Sequence, residues 1–130
     1  MDYVALVIVL SLVEYFFFIG MVGKARGKYE IKAPATTGDE MFERYFRVQQ
    51  NTLEQLIIFI PSIYFFGLYV HALGAAAIGL FFLIGRALYY KGYVGEPATR
   101  GTGMMIGFIA FVILLLGSLI GIIVALAKTI

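Results

Sequence analysis

Four long apolar segments, separated by short polar stretches, make up most of the chain. They cover residues 3–22, 41–70, 72–92 and 102–127, and the second opens with a polar stretch before its apolar part begins at Leu53. An α-helix needs about 20 predominantly apolar residues to cross the hydrocarbon core of a bilayer. The pattern therefore predicts an all-α integral membrane protein, with four transmembrane helices in one domain over residues 1–130.

The connections between these segments are short. Residues 24–41 and 91–103 form two polar connections, whereas almost nothing but His71 separates the second segment from the third. Because so short a connection reverses the chain, the second and third helices are predicted to form an antiparallel hairpin, with His71 as an interfacial residue and not a metal ligand. The run from Thr37 to Glu40 fits a capping box, which predicts that the second helix starts near Asp39.

Composition supports a membrane protein and excludes several classes of function. Hydrophobic residues make up 62% of the chain and charged residues 14%, and the mean hydropathy is +0.93. A soluble domain of this length could not bury so much apolar side chain. The absence of cysteine excludes a disulfide, a thiolate metal site and a protein thiol nucleophile. A net charge of +2 is too small to indicate nucleic-acid binding.

The distribution of basic residues predicts the orientation. Every lysine and arginine except Lys128 lies in or beside the connections formed by residues 24–41 and 91–103. Loops rich in basic residues remain on the cytoplasmic side. We therefore expect these two loops to be cytoplasmic and both termini to lie outside.

Small residues mark faces on which the helices are expected to pack closely. Their spacing in the third and fourth segments favours close backbone approach; they are Gly74, Ala75, Gly79, Gly103, Gly107, Gly117 and Gly121.

Charged and polar residues form a stripe along the start of the second helix. Arg44, Arg47, Asn51 and Glu54 fall within about 80° of one another at about 100° per residue, whereas Gln49 points nearly the opposite way. Charges at membrane depth usually face a bundle interior or a water-filled cavity. The stripe alone is compatible with a buried ion-pair ladder or with a pocket for a small charged ligand.

The third and fourth helices favour the pocket. Arg86, Tyr89 and Tyr93 share one face of the third helix, and Arg100 directly precedes the uncharged fourth helix. A cation at the positive end of a helix dipole is unfavourable unless an anion binds there. Because the two polar connections lie on the same side, all these groups are predicted to converge on an anionic ligand.

The order of residues from Glu43 to Glu54, "ERYFRVQQNTLE", resembles the signature of the MAPEG family, in its branch of leukotriene-C synthase and microsomal glutathione transferase. The runs "TTGDEMFERYFRVQQN", "GLYVHALGAA" and "RALYYKGYVGEPATR" extend the resemblance to nearly the whole chain. It implies a four-helix bundle assembled as a homotrimer, with glutathione bound between neighbouring subunits near the cytoplasmic face.

The resemblance also implies a role for each matching position. The residues that line glutathione from one subunit match Arg47, Asn51, Glu54, Tyr89 and Tyr93, those supplied by the neighbour match Arg26 and Gln49, and the residue that activates the thiol matches Arg100. The chain departs from the leukotriene-synthase pattern at Gln55, where that branch has a glutathione-contacting tyrosine, and at Gly27, where it has a second arginine. These departures favour a broad-range transferase.

The implied reaction is conjugation of glutathione, as co-substrate, to a hydrophobic electrophile that arrives through the lipid, with reduction of lipid hydroperoxides as a second activity. The compact chain without organelle signals favours a bacterial inner membrane as the location. Two alternatives remain open. Glu14, a carboxylate in the middle of the first helix, is typical of a small proton-coupled multidrug transporter. A non-catalytic, lipid-binding member of the family is the other, although the presence of Arg100 and both tyrosines argues against it.

Overall fold

The computed structural model describes residues 1–130 and contains four α-helices. They are α1 (Asp2–Tyr29), α2 (Glu40–Tyr69), α3 (Ala72–Val94) and α4 (Ala98–Ala127). Each helix is long and apolar enough to cross a membrane. The prediction of an all-α fold with four spans is therefore confirmed.

Two helix ends lie outside the predicted bounds. Helix α1 continues to Tyr29, so Lys24 and Arg26 lie on the helix and not in a loop. Helix α4 starts at Ala98, which places Arg100 inside its first turn and reduces the predicted connection 91–103 to residues 95–97. The helices are longer than the predicted spans because hydropathy marks the apolar part of a helix, whereas backbone hydrogen bonds continue through its polar ends.

Side-chain caps fix the starts of α2 and α3. The predicted start near Asp39 is confirmed, but the predicted capping box is wrong: the Asp39 carboxylate itself accepts a hydrogen bond from the backbone N–H of Phe42, at 3.0 Å. His71 caps α3 in the same way, because its Nδ1 accepts from the N–H of Gly74 at 2.8 Å. Only two residues separate α2 from α3, which confirms the hairpin.

The core is narrow and lies between the four helices. Phe59 of α2 stacks on Phe82 of α3 with ring centroids 4.0 Å apart, and Phe111 of α4 meets Phe82 edge-on. Most other large apolar side chains point outward, especially on α1 and α4. An outward apolar face is what a hydrocarbon environment favours.

Helices α3 and α4 approach closely along a line of glycines. A Cβ atom added to Gly103 would collide with the backbone of Tyr89, and one added to Gly85 would lie 2.5 Å from the backbone nitrogen of Gly107. The predicted packing role of Gly103 is therefore confirmed. Gly107 itself has room for a side chain, since the nearest atoms to its added Cβ are 3.9 Å away.

Of the other glycines predicted to allow close packing, three do so and one does not. Added Cβ atoms at Gly117 and Gly121 would meet side chains of α2, and one at Gly79 would lie 2.5 Å from Ile63. These three glycines do allow close packing. Gly74 does not, because an added Cβ there would contact only the capping side chain of His71.

Gly103→Ala is expected to destabilise the fold by about 1–3 kcal/mol, because an added methyl group forces the two backbones apart. Thermal unfolding in detergent measures the effect. Gly107→Ala is the matched control, one helical turn away on the same helix, and should unfold within a degree or two of the unaltered protein. Equal stability of the two variants would contradict the glycine contact between α3 and α4.

Candidate functional site

A polar cavity of about 340 Å³ opens beside the first turns of α2 and the end of α3. It is lined by Glu40, Glu43, Arg44, Arg47 and Tyr93. Four of the five residues carry full charges, in contrast to the apolar surface of the bundle. The cavity is therefore suited to a small charged ligand.

The charged stripe on α2 does not form an ion-pair ladder within the chain. Arg44 pairs with Glu40, one turn earlier on the same helix, at 3.0 Å. Arg47 and Glu54 form no salt bridge and are exposed. Of the two arginines on this stripe, Arg47 is consequently the one whose charge is free for a ligand.

Asn51 lies on the same stripe, between Arg47 and Glu54. Its side-chain oxygen is buried and has no hydrogen-bond donor within the chain. A buried acceptor without a donor costs about 1–3 kcal/mol. This oxygen therefore has unused hydrogen-bonding capacity next to the exposed side chains of Arg47 and Glu54.

Two tyrosines and two arginines stack along the end of α3. The guanidinium carbon of Arg86 lies 4.4 Å from the ring centroid of Tyr89, the rings of Tyr89 and Tyr93 are 5.3 Å apart, and the guanidinium of Arg100 lies 5.4 Å from the ring of Tyr93. We call these four residues the arginine–tyrosine ladder. Tyr93, near the outer end of the ladder, also lines the polar cavity.

Backbone contact holds Arg100 at this position. A Cβ atom added to Gly92 would collide with the backbone nitrogen of Arg100. Glycine at residue 92 therefore lets the first turn of α4 lie directly against the last turn of α3. The sequence did not reveal this contact, since Gly92 lies outside the small-residue spacings that predicted packing.

The inner end of the ladder is deeper than the sequence suggested. Arg86 is only 1% exposed and hydrogen-bonds to Thr52 and Gln55 of α2, so it does not line the cavity. Sequence reasoning missed Thr52. The signal for it was a hydroxyl residue in the otherwise apolar buried row Val48, Thr52, Leu56 of α2.

Of the eight predicted site residues only Arg47 and Tyr93 line the cavity, and two of the others are bound to groups elsewhere in the chain. The side-chain amide of Gln49 donates to the hydroxyl of Tyr15 on α1, at 3.1 Å. Arg26 donates from Nη1 to the carbonyl of Ala35, at 2.7 Å, and its guanidinium stacks on Phe42 at 4.9 Å from the ring centroid. Within one chain these residues therefore lie apart from Arg47, Tyr93 and Arg100.

Apolar grooves lie on the membrane-facing surface between neighbouring helices. One of about 340 Å³ lies between α3 and α4 and is lined by Ile78, Phe81, Ile106, Ile109, Ala110 and Ile113. Another of about 320 Å³ runs between α1 and α2. No group of three or more histidine, aspartate or glutamate side chains is placed to hold a metal ion.

Comparison with known proteins identifies the family. The MAPEG family model matches residues 4–120, and the chain belongs to this family. A protein of uncharacterized function from Synechocystis sp. is 42% identical over 91% of this chain and 86% of its own length. Microsomal glutathione S-transferase 2 of Homo sapiens is 41% identical over 85% of this chain and 77% of its own length. Leukotriene C4 synthase of Mus musculus is 35% identical over 78% of this chain and 69% of its own.

The family and the four apolar helices together identify an integral membrane protein. The resemblance stated from the sequence is thereby confirmed at the level of the family.

Proposed function

We propose that this protein is a membrane-bound glutathione transferase of the microsomal type. The observation that carries the proposal is a polar cavity lined by Arg47 and Tyr93 at the end of a transmembrane bundle, with Arg100 stacked on Tyr93 beside it. Membership in a family with glutathione transferase and leukotriene C4 synthase relatives supports it.

The charges of the predicted residues match those of glutathione, which has two carboxylates, one ammonium and a thiol. In the proposal Arg26 and Arg47 pair with the carboxylates, and Glu54 binds the ammonium. Arginine–carboxylate contacts of this kind are charge-assisted and frequently bidentate, so they fix orientation as well as affinity. The unpaired oxygen of Asn51 accepts an N–H of the ligand, with Gln49 as a second neutral partner.

A homotrimer is part of the proposal. Arg26 and Gln49 do not line the cavity of their own chain, so a complete glutathione site requires these two side chains from a neighbouring subunit. The directions of the side chains on α2 agree with this arrangement, because Gln49 faces α1 while Arg47 and Glu54 are exposed on another side.

Arg100 is assigned the activation of the thiol. Only the thiolate is a good nucleophile, and the pKa of a free thiol is about 8.5. A guanidinium in the first turn of α4, where the helix dipole is positive, stabilises the thiolate and lowers its pKa. The sulfur then forms a bond to the electrophilic carbon, and the leaving group departs with the electron pair of the bond that breaks.

The second substrate is a hydrophobic electrophile or lipid that arrives through the bilayer. The apolar grooves along α4 and α1 provide surfaces for it. Reduction of lipid hydroperoxides is the proposed second reaction of the same thiolate. Gln55 and Gly27 depart from the leukotriene-synthase pattern, which favours a broad range of electrophiles and a role in detoxification.

The proposed orientation places both termini outside and residues 24–41 and 91–103 on the cytoplasmic side, in a bacterial inner membrane. Glutathione then enters from the cytoplasm, where the polar cavity opens.

The direct test is conjugation by purified protein with an aromatic halide electrophile, followed as glutathione-dependent product formation. We expect saturable turnover and a trimeric mass by light scattering corrected for detergent. Tight lipid binding without any conjugation would favour the non-catalytic alternative. Proton-driven dye efflux from liposomes that depends on Glu14 would favour the transporter.

A further inference from the structure

Two charged residues at membrane depth have no role in the proposed reaction. Glu14 lies on the face of α1 that also carries the buried residues Ser11 and Phe18, and Arg86 is buried on α3. Ionisable residues inside a membrane are rare and usually functional. The contacts of Arg86 indicate what this residue does.

Arg86 joins α3 to α2 through a forked set of hydrogen bonds. Its Nε and Nη2 donate to the hydroxyl oxygen of Thr52 at 3.3 and 2.8 Å, and its Nη1 donates to the side-chain oxygen of Gln55 at 3.1 Å. The Thr52 hydroxyl in turn donates to the carbonyl of Val48, at 2.7 Å. Three separate contacts thus fix both the position and the plane of the guanidinium.

The fixed guanidinium plane is also the inner end of the arginine–tyrosine ladder. Tyr89 stacks against it, and Tyr93 stacks against Tyr89. Thr52 directly follows Asn51 on α2, only five residues beyond Arg47. The bonds from Arg86 to α2 therefore connect the row of tyrosines on α3 with the ligand-facing stripe on α2.

We propose that Arg86 is a positioning residue, which holds Tyr89 and Tyr93 in register with Arg47 and Asn51 and so shapes the glutathione site from behind. This inference rests on the proposed function, because it assigns Arg86 to that same site.

Stability alone does not account for a buried arginine here. An apolar side chain of similar volume is often as stabilising as a buried charge with its partners, or more so. Lysine would retain the charge but lacks the planar fork that bonds to two acceptors at once. What arginine adds at this position is a fixed orientation, which is the property that the stacked tyrosines require.

The test uses changes that leave every proposed glutathione ligand in place. Arg86→Lys removes the fork, and Thr52→Val removes the acceptor while it keeps the shape of the side chain. We expect each variant to raise the KM for glutathione about tenfold, with kcat at saturating glutathione within about threefold. Thr52→Ser retains the hydroxyl and is the matched control, with KM within twofold of the unaltered protein.

A spectroscopic measurement accompanies the kinetics. The chain contains nine tyrosines and no tryptophan, so its near-ultraviolet circular dichroism reports mainly on the packing of tyrosine. Arg86→Lys and Thr52→Val should change this signal without ligand, and Thr52→Ser should not.

Two results would overturn the inference, and they are distinguishable. Lower thermal stability in Arg86→Lys and Thr52→Val, with an unchanged KM and an unchanged tyrosine signal, would show that Arg86 only stabilises the bundle. Absence of glutathione turnover in the unaltered protein would instead reject the proposed function, and the inference with it.

Discussion

Arg100→Ala is expected to lower kcat for glutathione conjugation by about 100-fold, the typical effect of removing one preorganised group that stabilises a developing or bound anion. The guanidinium stacks on Tyr93 at the edge of the polar cavity and lies in the first turn of α4. Without it, the pKa of the bound thiol should rise towards 8.5, the value of a free thiol. Ultraviolet absorbance of the bound thiolate, titrated against pH, measures this shift directly.

The affinity for glutathione distinguishes activation of the thiol by Arg100 from a role of Arg100 in binding glutathione. The dissociation constant of glutathione should change by no more than about threefold in Arg100→Ala, since the carboxylates and the ammonium are assigned to other residues. Arg100→Lys keeps a cation and should recover part of the rate. Lys128→Ala, at the far end of α4, is the control for loss of a positive charge. An unchanged titration and rate in Arg100→Ala would remove Arg100 from the mechanism.

Arg47→Ala is expected to weaken glutathione binding by about 10- to 100-fold. Hydrogen bonds to charged groups are worth about 1.5–3 kcal/mol, and Arg47 lines the cavity without an acidic partner in the chain. Equilibrium binding of labelled glutathione to the purified protein measures the loss. Unlike the effect of Arg100→Ala, it should appear mainly in the dissociation constant.

Arg44→Ala is the matched control for this loss. Arg44 belongs to the same helix and lines the same cavity, but it is already paired with Glu40 at 3.0 Å. Its removal should change affinity by no more than about threefold. Equal effects of the two substitutions would indicate that the cavity attracts glutathione through its general charge and not through a specific contact of Arg47.

The sequence predicted most of the fold because each helix carries its own signal. Four apolar segments of sufficient length define four spans whatever the contacts between them. The C-terminal end of α1 and the start of α4 were harder to predict from the sequence. Polar residues lie there, such as Arg26 and Arg100, and they continue the backbone hydrogen bonds of the helix.

The candidate site was partly predictable for a similar reason. Helical periodicity placed Arg47, Asn51 and Glu54 on one face of α2, and this depends only on the number of residues per turn. Periodicity does not indicate how far a side chain lies from the surface. The burial of Arg86 against Thr52 depends on how α2 and α3 pack, which no pattern within a single helix contains.

The packing contacts of Gly85 and Gly92 were missed for the same reason, since they depend on how two helices meet. Gly85 and Gly92 have no sequence feature that separates them from ordinary glycines of a membrane helix, and their importance appears only when α4 lies against them.

The contact between Gly92 and Arg100 has a consequence for how this protein tolerates change. Main chain meets main chain there, so the backbone of Arg100 is held by its contact with residue 92 and not by apolar side chains of α4. The lipid-facing residues of α4 are thus free to vary with the membrane in which the protein resides. A single methyl group at residue 92, by contrast, would push the first turn of α4, and Arg100 with it, away from α3.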